Sequence, residues 1–328
     1  KDSTIPKISY KEFLRRLSEM HAYDRSKIQT DILPYIGVDP NLKAGGAPIL
    51  LPNPANVDMT DASEASLRAQ GAALLGIFNY VAANGKLERA KQRLYQEPNK
   101  PIVIMEGDSW FEYPVFLTDV SDYMIQQSQF IAYSVAAAGD EVENMAEKAR
   151  EDDYSFGLHP SEHKRVACFL LSGGGNDIVG KNLETILIPD VKSSNPSDYI
   201  HDKNYNKRLN ELMGYYREII VGVTTRYTNK DFRVLIHGYD YGIPHGPVDW
   251  EAPQRDGWTG KYLRAAGVPD EKRDLQYKIV QELIDRFNES QIKLAKEFKG
   301  QVIHVDNRKT IPRLIESETA DWIGSDPK

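Results

Sequence analysis

From Pro101 onward one pattern repeats, and it limits the folds open to the chain. Apolar runs of strand length occur at 101–106, 129–136, 165–172, 232–238 and 300–305. Between them lie helical patterns near 118–127, 140–151, 204–228 and 271–298. A parallel neighbour can be reached only through a crossover, and crossover helices must pack on the faces of the sheet. Right-handed crossovers leave few topologies. The expectation is an α/β domain over residues 100–328, a parallel sheet in the order 2-1-3-4-5 with helices on both faces. Stretches 186–203 and 239–270, rich in Pro and Gly, read as long loops at the carboxyl edge of that sheet.

Residues 1–99 read differently. Ile8, Phe13, Leu14, Leu17 and Met20 recur at helical spacing over 8–22, and Asp24 could cap a short helix through Ile28, Ile32 and Leu33. The Gly-, Pro- and Asn-rich stretch 36–60 reads as a loop, and 62–94 as helix broken near Asn84-Gly85. The expectation is an N-terminal, mostly helical subdomain without a catalytic constellation. It either packs on the rest or docks a protein partner.

Composition removes some function classes. A formal charge of -7 argues against a general nucleic-acid binder, which would show a basic face. Cys168 is the only cysteine, so no intrachain disulfide forms, which leaves both a cytoplasmic and an exported protein open. No apolar run approaches the roughly 18 residues of a membrane span, so the chain is read as soluble. It begins at Lys1 without a signal peptide, so the true amino terminus is expected to be missing.

The carboxyl ends of the strands carry the functional signal, because ligands in such sheets sit beyond them. Strand one ends at Gly107-Asp108-Ser109-Trp110, strand two at Ala138-Gly139-Asp140, strand three at Gly173-Gly174-Gly175-Asn176-Asp177 and strand four at His237-Gly238-Tyr239. Acyl transfer by a serine needs a hydroxyl, a base and donors for the developing oxyanion. Ser109 supplies the hydroxyl. Gly139 can present a backbone N–H to a close-lying substrate, and Asn176 a side-chain N–H. One such donor is commonly worth about 3–4 kcal/mol of barrier. Asp108, His237, Tyr239 and His245 are candidate pocket residues. The bland alternative for Ser109 is a cap on the next helix.

Gly107-Asp108-Ser109-Trp110 resembles the first block of the GDSL, or SGNH, hydrolases, with Trp in place of Leu. Ala138-Gly139-Asp140 resembles their second block and Gly174-Gly175-Asn176-Asp177 their third. The resemblance covers about residues 100–326. It implies a flavodoxin-like three-layer fold and ester hydrolysis, with Ser109 as nucleophile and Gly139, Asn176 and the Ser109 N–H as oxyanion hole. It also implies an Asp-x-x-His block near the carboxyl terminus, which does not occur. Asp321 has Gly324 where the histidine would stand, and the partner of Asp326 would fall just past Lys328. Three accounts stay open: a sequence that stops short of the histidine, a base recruited from His237 or His245, or an inactive relative. His304 reads as structural and Asp306 as a turn cap.

Three further motifs are set aside. His159-Pro160-Ser161-Glu162-His163 fits H-x-x-E-H, but Gly157 and Pro160 oppose the helix that a zinc site needs. Residues 175–181 fit G-x-x-x-x-G-K, but Asn182 stands where a hydroxyl should meet magnesium. Asn288-Glu289-Ser290 is a glycosylation sequon on a charged helix. No metal or cofactor is called for. The leading expectation is a serine hydrolase that cleaves acyl or acetyl esters of a small molecule, a lipid or an acylated sugar. The alternative is an inactive SGNH-like binding module with a helical docking segment.

Overall fold

The computed structural model describes residues 5–18, 28–38, 50–60, 83, 85–112, 119–179, 182–242, 244 and 259–310. In chain order the first elements are β1 (Ile8–Ser9), α1 (Tyr10–Ser18), β2 (Ile36–Val38), β3 (Leu50–Pro52) and β4 (Val57–Asp58). A helix over 85–96, α2, follows. Then come β5 (Ile102–Gly107), α3 (Val120–Ile125), β6 (Ile131–Ser134), α4 (Val142–Glu151), β7 (Val166–Ser172), α5 (Gly175–Ile178) and α6 (Leu183–Ile186). The remainder holds α7 (Asp202–Arg226), β8 (Arg233–His237), α8 (Gly260–Ala265), α9 (Arg273–Glu297) and β9 (Val302–Val305).

Five parallel strands form the central sheet in the order β6-β5-β7-β8-β9, which is the expected 2-1-3-4-5. β5 lies inside the sheet, between β6 and β7, and is buried along its whole length, as a strand covered on both faces must be. Its alternating side chains separate two cores. Ile102 and Ile104 share one with Tyr133, Phe169, Val234 and Ile236, packed on Met145 of α4, Tyr216 of α7 and Phe287 of α9. Val103 and Met105 face the other way, with Ala132 and Phe111 and the partly buried Met124 and Ile125 of α3. Helices on both faces make the fold three-layered.

In the first hundred residues, Ile8, read as part of the helix over 8–22, lies in β1, and the helix starts at Tyr10. The stretch 36–60, read as a loop, contains β2 and β3, which pair antiparallel, and β4, which pairs in parallel with β1. Runs of two or three residues are too short to show a period of two, and here Gly37 and Pro52 mask them. The expected helix at 28–33 forms as a π turn over Ile28–Ile32 followed by a 3-10 turn over Leu33–Tyr35. Of the helix expected over 62–94, residues 62–82 and Asn84 lie outside the described residues. Ala90 of α2 belongs to the larger core of the sheet. A further correction is α8, which forms inside the stretch 239–270 that reads as irregular.

Candidate active site

After β5 the chain turns sharply. The Asp108 carbonyl accepts the N–H groups of Phe111 (3.0 Å) and Glu112 (3.1 Å), and Ser109 rides half-buried on that turn with Trp110 exposed beside it. The Ala137 N–H donates to the Gly107 carbonyl (2.9 Å), which carries the β6 end alongside the turn. Gly139 follows with φ +79°, a left-handed conformation that a residue with a Cβ rarely adopts.

Asp108 ties these strand ends together. Its side chain is 1% exposed. One carboxylate oxygen accepts the Ser172 hydroxyl (2.9 Å) and the Trp110 N–H (3.1 Å), and the other accepts the Tyr239 hydroxyl (2.7 Å). The Tyr239 oxygen in turn accepts the Gly175 N–H (2.9 Å), and its ring stacks on Phe287 at 5.8 Å. Asn176 donates from Nδ2 to the Asp140 carbonyl (3.0 Å), linking the third block to the second. Beside it, burial pushes the Asp177 carboxyl up to about 6, against the Val142 N–H and Arg208 that favour its charged form. The ends of β5, β6, β7 and β8 are thus joined by one hydrogen-bonded network.

Within that network three N–H donors and one hydroxyl are left over. The N–H groups of Trp110 and Asp140 are taken, the latter by the Ala137 carbonyl (3.2 Å). Among the described residues, the N–H groups of Ser109 and Gly139, the second N–H of the Asn176 amide and the Ser109 hydroxyl have no partner.

The turn that delivers Asn176 leaves no room for side chains. Gly174 has φ +97°, and a Cβ there would lie 2.5 Å from Cζ of Phe287. Gly174→Ala is therefore expected to destabilise the protein by about 3 kcal/mol, combining backbone strain with overpacking. Urea denaturation measures this, and a loss below 1 kcal/mol on the order of a surface change would show that Phe287 yields freely.

Of the two candidate pocket histidines, His245 lies outside the described residues. His237 ends β8 and packs edge-on to Trp110 (6.5 Å) and against Phe111 (5.6 Å). Its Nδ1 is 3.0 Å from the Gly238 carbonyl, which only accepts, so Nδ1 carries the proton. Burial lowers its pKa, so the ring is neutral at neutral pH. His304 is held by Gln291 (3.2 Å), and the Asp306 carboxylate accepts the Arg308 N–H as a turn cap. His159 pairs with Ser161 (2.8 Å) and His163 with the Leu158 carbonyl (3.2 Å) on a 3-10 turn. Among the described residues no cluster of His, Cys, Asp or Glu is placed to hold a metal ion. Asn288 is wholly buried and donates to the Ile284 carbonyl (2.9 Å), so its sequon is closed to a glycan in the folded protein. No helix among the described residues is long and apolar enough to cross a membrane.

One buried acid beneath the site was not anticipated. Glu106, on β5, accepts the Gly107 N–H (2.9 Å), and burial, with Asp140 nearby, pushes its pKa up to about 8 despite Lys148. Unfolded, the same carboxyl ionises near 4.5. Between these values the unfolded chain has released a proton that the folded chain keeps. This group's contribution to stability therefore falls as pH rises through that window, and it levels off above it. Glu106→Gln is expected to be more stable than wild type at pH 8, by on the order of 2 kcal/mol. At pH 5 the two should be nearly equal. Urea midpoints at the two pH values check the sign.

No family model and no curated protein matches the chain. It is similar to the lipase Lip_vut3 from a goat rumen metagenome at 12% identity, over 65% of this chain and 83% of that one, with a TM-score of 0.40. A Streptococcus pneumonia protein provisionally named a platelet activating factor is 16% identical over 73% of this chain and 81% of its own, with a TM-score of 0.37. The acetyl xylan esterase Est2A of Butyrivibrio proteoclasticus is 12% identical over 59% and 64%, with a TM-score of 0.30. At these scores none of the three carries an argument about activity or substrate.

Proposed function

We propose that the protein is a serine hydrolase of the SGNH type that cleaves acyl or acetyl esters through an acyl-serine intermediate at Ser109. The observation that carries this reading is the set of unpaired donors. The Ser109 N–H, the Gly139 N–H and an amide N–H of Asn176 belong to three different strand ends joined by the Asp108 network, and all three lack acceptors among the described residues. Ser109 and Asn176 are half-buried and Gly139 is exposed, and a donor left without an acceptor on each of three strand ends that meet at one network suits a developing oxyanion.

In the first step the Ser109 oxygen attacks the ester carbonyl carbon, and the carbonyl oxygen takes up negative charge toward these donors. The C–O bond to the alcohol then breaks, and the alkoxide leaves with the proton that a base removed from Ser109. Water repeats the sequence on the acyl-serine. The resemblance assigns the base to a histidine C-terminal to β9. Trp110, 42% exposed beside Ser109, offers an aromatic face that suits an acyl chain or a sugar ring. The substrate is accordingly a small-molecule, lipid or acylated-sugar ester.

The test uses the natural full-length protein. A fluorophosphonate probe should label it, and peptide mapping should place the adduct on Ser109. A folded protein that stays unlabelled and is inert toward p-nitrophenyl acetate and butyrate would overturn the reading.

A further inference from the structure

A buried lysine from outside the sheet reaches the turn that carries Ser109. Lys86, on α2, is 3% exposed. Its ammonium lies 2.8 Å from Asp119, 3.0 Å from Glu112 and 3.3 Å from Asp122, and donates to the Ser121 hydroxyl (2.7 Å). Glu112 is wholly buried, and its N–H is one of the two that close the nucleophile turn onto the Asp108 carbonyl. Neither oxygen of its carboxyl has a well-formed hydrogen bond, so the Lys86 charge is what opposes its burial, which still pushes the carboxyl up to about 7. Asp119 is the N-cap of α3, in a reciprocal capping box with Asp122. One cation therefore holds the exit of the nucleophile turn and the start of the next helix.

We propose that Lys86 is a positioning residue for Ser109. By fixing Glu112 and Asp119 together it sets the geometry of the turn between Asp108 and Glu112, and so the place of the Ser109 hydroxyl relative to the oxyanion donors. Its catalytic consequence rests on the serine-hydrolase reading. A second anchor makes the idea separable from simple attachment of α2. Arg93 donates from the same helix to the carbonyls of Ile125 (3.4 Å), Gln127 (3.3 Å) and Phe130 (3.0 Å). Removing Lys86 thus leaves the helix tied to the body of the fold.

The experiment compares full-length wild type with Lys86→Met and with the double variant Lys86→Met/Glu112→Gln, which also removes the stranded carboxyl. In Lys86→Met, the amides of Asp108, Trp110, Phe111 and Glu112, which are hydrogen-bonded in the wild type, should exchange at least about tenfold faster, while those of 87–96 keep wild-type protection. Fluorophosphonate labelling should slow on the order of tenfold to a hundredfold, as misplacement of a reacting group does, with kcat falling and KM little changed. In the double variant the melting temperature should recover toward wild type while labelling stays slow. Unchanged exchange at 108–112, or wild-type labelling in the double variant, would show that Lys86 only stabilises the fold. If wild type itself is unlabelled, the hydrolase reading fails, and the exchange of 108–112 still decides whether Lys86 holds the turn.

Discussion

Ser109→Ala is expected to abolish fluorophosphonate labelling and to lower kcat/KM on short p-nitrophenyl esters by on the order of 10³-fold or more. The effect should be almost wholly kinetic. Ser109 is half-buried and its hydroxyl has no partner among the described residues, so its removal orphans nothing. The urea midpoint should stay within the range of a surface substitution, about 0.5 kcal/mol. This contrast separates a nucleophile from a capping serine, whose loss would cost about 1 kcal/mol and leave chemistry untouched. Activity that survives in a folded Ala variant would mean that hydrolysis runs elsewhere. A biological role that survives with no hydrolysis in either form would make the sheet a binding module.

Much of the fold was legible because long elements announce themselves. β5, β7 and β8 lie within one or two residues of the expected runs at 101–106, 165–172 and 232–238. The apolar stretch of β5, bounded by Pro101 and Gly107, suits an interior strand buried on both faces. The short β1–β4 were illegible, since two or three residues carry no period. At the site, the sequence places Ser109, Gly139 and Asn176 on three strand ends but says nothing of what joins them. Asp108 reads as an acid flanking a serine. Its bond to Tyr239 spans 131 residues of sequence, and only the folded sheet makes the two neighbours. The glycines before Asn176 read as freedom for it to turn inward. In the fold they are also what Phe287 and Tyr239 require, since a Cβ at Gly175 would meet the Tyr239 ring at 3.0 Å. Lys86 carried no signal, because a lysine in a charged helix reads as solvated until its partners from 112–122 are in place.

The same network supplies the largest expected loss of stability, at Asp108. Asp108→Ala strips the acceptor from the Ser172 hydroxyl, the Tyr239 hydroxyl and the Trp110 N–H at once. A buried donor without a partner costs about 1–3 kcal/mol. The Ser172 hydroxyl can rotate and Trp110 is near solvent, so the sum should fall short of three full penalties, at about 3–5 kcal/mol. Asp108→Asn is the sharper probe, because it keeps the shape. With its amide nitrogen toward Tyr239, that hydroxyl faces two donors, the other being the Gly175 N–H, and its own proton has no acceptor. With the nitrogen toward Ser172, the Trp110 N–H meets a donor instead. Neither orientation satisfies all three groups, so the Asn variant should also lose stability, by roughly half as much. Tyr239→Phe removes the contested hydroxyl, so the double variant Asp108→Asn/Tyr239→Phe should lose less than the sum of the two single changes. A coupling of 1 kcal/mol or more is expected on the scale of contacting pairs. Strict additivity in urea denaturation would mean that Asp108 and Tyr239 act independently, and another contact would then have to join the ends of β5 and β8.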